Sequence, residues 1–205
     1  MRVIDWDEFI RPGRPPEPMP LALTVGVFDG VHLGHQALIN RVRAQASCLP
    51  TVVTFRRNPM ETIRPDGFAG DILSLERKLA SLEALGVGLV VLIDFSGEFS
   101  KINGRDFIDL LLARHPVSLI ALGEDFRCGR GLDIGAREIR DIAGTLGVEA
   151  WIAPPVMDGG QPVSSSRIRR ALAAGRVAEA ERLLGWIENG RDNSGPQHCS
   201  QLEEI

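Results

Sequence analysis

The sequence predicts an α/β fold in which a parallel, doubly wound sheet of about five strands carries helices on both faces. Two observations predict it. Short β-branched runs alternate along the chain with longer stretches whose apolar residues recur at helical spacing, and parallel strands need such crossover connections. The polar, glycine-rich segments DGVHLGH, RRNP and GEDFRCGRG each fall directly after a strand-like run. In open parallel sheets, ligands bind outside the carboxyl ends of the strands.

The elements follow in order. After a short opening segment, residues 11–20, RPGRPPEPMP, contain five of the 13 prolines and can form neither a helix nor a central strand. Strands are expected at residues 23–28, 51–55, 87–95, 118–123 and 149–153, where Val, Ile, Thr and Leu dominate. Helices are expected at residues 36–46, 75–85, 104–113 and 136–146, with Gly86 and Gly147 standing where helix ends favour glycine. Two further helices, 166–174 and 177–184, close the patterned region, which is read as one domain over residues 1–188. The polar stretch 189–205, NGRDNSGPQHCSQLEEI, has no periodicity and reads as a disordered tail. No internal repeat or heptad pattern is present.

Composition narrows the function classes. With 44% hydrophobic and 24% charged residues, the 205-residue chain has an ordinary globular balance. Its net charge of -4 argues against nucleic acid as a partner, which needs a broad basic surface, while local basic clusters can still hold a small anion. The three cysteines, Cys48, Cys128 and Cys199, form no Cys-x-x-Cys pair, which favours a reducing compartment. The acidic amino terminus and the short apolar run 87–93 suit neither a signal peptide nor a membrane span, so a cytoplasmic protein is expected.

FDGVHLGH, residues 28–35, places two of the four histidines three residues apart between glycines. Gly30 and Gly34 permit close approach of the backbone to a ligand, and the turn opens a helix whose free N–H groups favour an anion. His32 and His35 can donate hydrogen bonds to phosphate oxygens and balance charge on a leaving group. A metal site of His32, His35 and Asp29 ranks lower because no fourth ligand stands out. No Walker sequence occurs. In VSSSRIRR, Ser164 or Ser165 can cap the following helix, spare hydroxyls can receive a phosphate, and Arg167 or Arg170 can add charge. GEDFRCGRG can lay backbone and the Phe126 ring beside a flat ligand, or Phe126 can tuck into the core.

TVGVFDGVHLGHQALINRV, residues 24–42, resembles the Gly-x-Phe-Asp-Gly-x-His-x-Gly-His signature of the HxGH nucleotidyltransferases, especially the bacterial FAD synthetases. GEDFRCGRG and VSSSRIRRAL follow in the family's order, and the similarity runs from about Ala22 to Gly185. The resemblance implies a Rossmann-like fold and a reaction in which the phosphate of FMN attacks the α-phosphorus of ATP, with magnesium bridging phosphates, giving FAD and pyrophosphate. It assigns His32, His35 and Arg167 to the chemistry, and assigns Gly26, Phe28, Asp29, Gly30, Gly34, Ser164, Ser165 and Ser166 to ATP. Asp29 is expected to fix the loop rather than act as a base, since a phosphate nucleophile is already ionised. Asn58, Asp125, Phe126 and Arg127 fall to the flavin, and no residue falls to a protein-bound metal.

The chain departs from the family pattern at TFRRNP, residues 54–59, where relatives read Thr-Phe-Asp-Pro-His-Pro. Asn58 keeps a hydrogen-bond donor without a histidine's charge, so phosphate contact there is expected to weaken unless Arg56 or Arg57 turns inward. Nothing after Trp186 resembles a riboflavin kinase domain, so that activity is expected to be absent. Two other readings stand beside the adenylyltransferase: a non-catalytic flavin- or nucleotide-binding protein, and a nucleotidyltransferase with a different phosphate acceptor. Oligomeric state is not legible.

Overall fold

A computed structural model describes residues 1–14 and 16–185. The expected tail at 189–205 lies outside the described residues. The strands are β1 (Arg2–Asp5), β2 (Leu21–Val25), β3 (Leu49–Phe55), β4 (Leu89–Ile93) and β5 (Val117–Gly123), then the two-residue β6 (Arg127–Cys128) and β7 (Ile134–Gly135). β8 (Glu149–Ala153), β9 (Met157–Asp158) and β10 (Gln161–Pro162) follow. The helices are α1 (Trp6–Phe9), α2 (Leu33–Arg43), α3 (Pro59–Ile63), α4 (Leu75–Ala84), α5 (Gly104–Ala113), α6 (Ala136–Thr145), α7 (Ser165–Ala173) and α8 (Val177–Leu184).

The central sheet has six strands in the order β1-β4-β3-β2-β5-β8, all pairs parallel. It therefore gains one strand over the five expected. The addition is the opening segment, where Val3 and Ile4 pair with Val90 and Val91 at the edge beyond β4. β1 is mostly solvent-facing and only four residues long, so no alternation announced it. The chain winds outward from β2 through β3 to β4, then returns to β5 on the other side of β2. That reversal places the switch point at the carboxyl end of β2.

Alternating side chains of each strand serve opposite faces, as the pleat requires. Leu21, Leu23, Val91, Ile93, Ile120 and Leu122 face one core with Trp6, Phe107, Leu111 and Ile139, beneath α1, α5 and α6. On the other face, Val52, Val90 and Leu92 pack with Ile39 of α2 and Leu82 of α4, while Ala22, Leu119 and Ala121 receive Leu38 and Val42 of α2. The α7–α8 hairpin buries Ile168, Ala171, Leu183 and Leu184 against Leu33 and Ile72, so it is docked on the loops at the strand ends.

The described residues of the proline-rich lead-in adopt neither helix nor strand, but they are pinned down. The buried His115 accepts the Glu17 N–H at Nδ1 (3.1 Å), which leaves its Nε2–H to donate to the Phe9 carbonyl (3.1 Å). The Glu17 carboxylate accepts from Arg2 (2.7 Å) and Arg14 (3.0 Å). Cys48 and Cys128 are free thiols, and burial pushes Cys128 up to about 12, which makes it inert at neutral pH. No helix among the described residues is long and apolar enough to cross a membrane.

Candidate functional site

β2 stops at Val25, three residues earlier than its apolar run predicts, because the backbone leaves the sheet to form a tight turn. Phe28, Gly30 and Val31 take φ values of 53°, 83° and 42°, the left-handed region that costs about 1–3 kcal/mol for a non-glycine residue. Phe28 and Val31 are fully buried beside Ile39, Val52 and Leu82, and that burial offsets the strain. Gly30 is required twice over, since a Cβ there would also lie 3.1 Å from Leu184 of α8.

The turn feeds α2, which begins three residues before the expected start because His32 caps it. Nδ1 of His32 accepts the His35 N–H (3.4 Å), so the His32 proton resides on Nε2 and is available for donation. The two rings stack 3.7 Å apart, and the ring of Phe28 lies 4.9 Å from His35. Gly34 is needed beside this stack: a Cβ there would lie 3.1 Å from the His32 ring. A Cβ at either Gly30 or Gly34 would meet protein atoms, so both positions also serve internal packing.

Burial pushes His32 down to about 4 and His35 well below the usual imidazole range, with the neighbouring His32 and Lys78 adding to the shift in His35. Both rings are therefore neutral at pH 7 in the ligand-free protein. Nδ1 of His35 is buried without a protein partner.

Asp29 ties three segments together. One carboxylate oxygen accepts the Ile72 N–H (2.8 Å), the other accepts from Arg169 of α7, and its carbonyl accepts from the Ser165 hydroxyl (2.9 Å). Burial raises the Asp29 carboxyl above its usual range, an effect opposed by Arg169 and the Ile72 N–H. This is the loop-fixing role expected from the sequence. Ser164 caps α7 by accepting the Arg167 N–H (3.3 Å), whereas Ser166 is exposed at the first turn.

Of the arginines in VSSSRIRR, Arg169 is the one at the cavity; it was not singled out from the sequence. It reaches Asp29, donates to the Gly70 carbonyl (3.0 Å) and lies 5.9 Å over the Phe68 ring. Arg167 instead binds Asp158 (2.6 Å), Glu179 (3.2 Å) and the Asp158 carbonyl (2.9 Å), joining the β9–β10 ribbon to α8. Arg170 is exposed.

A cavity of about 450 Å³ opens at the carboxyl end of β2, lined by Asp29, Asn58, Phe68, Ser165, Ser166 and Arg169, among others. Hydroxyls, the start of α7 and a guanidinium form one wall, and Val27, Met60 and Phe68 form an apolar one. Such a site suits an anionic ligand with a flat apolar portion. Asn58 belongs here, but as a structural group: its carbonyl oxygen accepts the Met60 N–H (3.1 Å) to cap α3, and its amide donates to Asp71 (3.0 Å). Arg56 does not turn inward; it pairs with Asp5, and Arg57 is exposed. His32 and His35 stand on the same turn but do not line the cavity.

Asp125, Phe126 and Arg127 line a separate concavity of about 390 Å³ after β5, with Gly135, Arg137 and Glu138. Arg127 donates to the Leu132 carbonyl (2.9 Å), and Phe126 packs against the main core. The residues expected at the flavin thus fall into two places, Asn58 in one and the 125–127 group in the other.

Lys78 of α4 is a second residue the sequence reading missed. It is 7% exposed and donates to the carbonyls of Phe55 (2.8 Å) and Val27 (3.4 Å). One signal was available: Lys78 follows Leu75 by three positions and precedes Leu82 by four, a core-facing position on the helix.

A family profile described as FAD synthetase matches residues 14–167. The bifunctional riboflavin kinase/FMN adenylyltransferase of Escherichia coli K12 is 34% identical over 167 residues, covering 80% of this chain and 53% of that protein. The chain thus spans about half the length of the bifunctional relatives it matches. The FAD synthetase of Listeria monocytogenes is 27% identical over 178 residues, 82% of this chain and 72% of that one. Among solved structures, one described as a macrolide-efflux protein from Streptococcus pneumoniae superposes with a TM-score of 0.77 at 29% identity over 90% of this chain and 62% of its own. A pantoate-beta-alanine ligase from Francisella tularensis, at 15% identity and a TM-score of 0.57 over 96% of this chain and 82% of its own, shares the fold.

Proposed function

The chain belongs to the FAD synthetase family, and from that premise we propose that it is an FMN adenylyltransferase. A phosphate oxygen of FMN forms a new bond to the α-phosphorus of ATP. The bond from that phosphorus to the bridging oxygen of the β-phosphate breaks, and pyrophosphate leaves with the electron pair. FAD is the other product. No protein nucleophile is required, so catalysis consists of positioning and charge stabilisation.

The observation that carries this reading is the convergence at the end of β2 of the capped HxGH turn, the start of α7 with Ser165 and Ser166, and Arg169. The exposed Ser166 hydroxyl, helix N–H groups and the Arg169 guanidinium provide donors for phosphate oxygens. The Nε2–H of His32 can donate to the α- and β-phosphates, and proton uptake by the neutral histidine pair on binding would supply positive charge as pyrophosphate departs. Magnesium bound to the ATP phosphates would neutralise part of their charge, while the Asp29 carboxylate stays engaged by Arg169 and Ile72. The apolar wall of Met60 and Phe68 suits one of the two flat rings, and Asp125, Phe126 and Arg127 are proposed to meet the flavin from the β5 side.

The test is a chromatographic assay of the purified protein with ATP, magnesium and FMN that follows FAD and pyrophosphate together, with His35→Ala and Asn58→His alongside. Stoichiometric FAD and pyrophosphate from wild type, abolished in His35→Ala, is the expected result. Binding of both ligands with neither product would make the chain a binding protein of the same fold. Turnover with another phosphate acceptor in preference to FMN would change the substrate.

A further inference from the structure

Lys78 sits in an unusual environment. Among the described residues it is the one buried lysine or arginine side chain, inserted from α4 between the sheet and the HxGH turn, where Phe28, Val31, Leu79 and Leu82 form an apolar cluster. Removing an ammonium group from water is costly unless partners compensate, and a well-packed apolar residue of similar volume is often as stable or more so. The charge therefore needs an explanation other than packing.

Its partners supply one. The Nζ group donates to the carbonyl of Val27, in the turn after β2, and to that of Phe55, at the end of β3. The Thr54 hydroxyl donates to the same Val27 carbonyl (2.9 Å). Val27 itself and Asn58, three residues after Phe55, both line the cavity. The charged and titratable groups around Lys78 are Asp29 on the turn, Asp71 before α4, and His35 on α2, which itself stacks on His32; Arg169 reaches Asp29 from α7. The two carboxylates favour the ammonium form against the desolvation that lowers its pKa, and the ammonium in turn disfavours a second positive charge on His35.

We propose that Lys78 is a positioning residue for the site: its ammonium group clamps the carbonyl ends of β2 and β3, fixes the spacing of the two loops that form the cavity, and holds the His32–His35 pair in register beneath the ligand phosphates. The assignment of phosphates to that place rests on the FMN adenylyltransferase reading. The clamp and its effect on the histidines do not.

The experiment compares full-length wild type with Lys78→Met, Lys78→Gln and Lys78→Arg. One arm follows the imidazole resonances of His32 and His35 against pH without ligand; the other measures kcat and KM for FAD formation from magnesium-ATP and FMN. In Lys78→Met and Lys78→Gln, the pair is expected to titrate at higher pH than in wild type. kcat should fall about 10- to 100-fold, the scale of an ångström-sized misplacement, with KM changed less. Lys78→Arg should recover most of both. A Leu111→Ala protein, truncated in the core on the opposite face of the sheet, should lose stability but keep its kcat and its histidine titration.

An unmoved histidine titration in the neutral variants, a kcat within about twofold of wild type, or an equal loss in Leu111→Ala would each overturn the proposal. So would failure of both neutral variants to fold, which would make Lys78 a folding residue. If wild type forms no FAD, the catalytic reading fails, while the ligand-free titration still decides the clamp.

Discussion

Acidifying the solution from pH 7 to pH 5 should destabilise this protein through its buried histidine pair. His32 titrates at about 4 in the folded state against an ordinary 6.5, and burial is the main cause. Between those values the unfolded chain binds a proton that the folded chain refuses, so stability is full above about 6.5 and is lost as pH falls. With each pKa unit equivalent to about 1.4 kcal/mol, His32 alone accounts for about 2 kcal/mol of loss between pH 7 and pH 5, and His35 adds in the same direction. Against a typical total of 5–15 kcal/mol, that is readily measured. Urea unfolding at both pH values, in wild type and in His32→Asn, isolates the effect, because asparagine keeps the helix cap but does not titrate. The wild type should lose about 2 kcal/mol more than the variant. Equal losses in the two proteins would refute the argument that the imidazole is buried and neutral.

Other expectations follow from the same contacts. Arg169→Ala leaves the buried Asp29 carboxylate without its cation and should cost about 2–3 kcal/mol, somewhat less than a fully enclosed pair because Arg169 is partly exposed. It should also remove most FAD formation, whereas Arg167→Ala, which releases the β9–β10 ribbon, should act mainly on the melting temperature. Gly34→Ala should change stability by less than about 1 kcal/mol, since alanine favours a helix, yet displace the His32 ring and reduce kcat, readable as a KM-against-kcat split. Asn58→Ala should lower stability by about 1 kcal/mol through loss of the α3 cap, measured by thermal unfolding. Binding of ATP to a neutral histidine pair should take up protons near pH 6, visible as a buffer-dependent heat in calorimetry.

Much of the fold was legible because secondary structure here is written in local periodicity. The expected strand at 149–153 and the helices at 104–113 and 177–184 coincide with β8, α5 and α8. Where boundaries moved, a tertiary contact moved them. β2 ends at Val25 because the turn carries Phe28 out of the strand and down into the core, and α2 starts early because His32 supplies its cap. The loops after β2 and β3 and the start of α7 do meet at one cavity, as strand-end placement implied.

The chain alone therefore determined the principal strands and helices of the sheet, that polar, glycine-rich turns follow its strands, and which family its motifs resemble. These are properties of neighbours a few residues apart. Only the tertiary structure decided what each side chain does at the site. Arg167 and Arg169 are two positions apart on a helix, hence about 200° around its axis, and which one meets Asp29 depends on how the α7–α8 hairpin docks. Asn58 caps a helix, Gly34 makes room for an imidazole, and Lys78 bridges two strand ends because distant segments are packed against them. β1 became a strand for the same reason: four residues, three of them exposed, carry no pattern of their own, but the open edge of β4 offers them a full row of hydrogen-bonding partners.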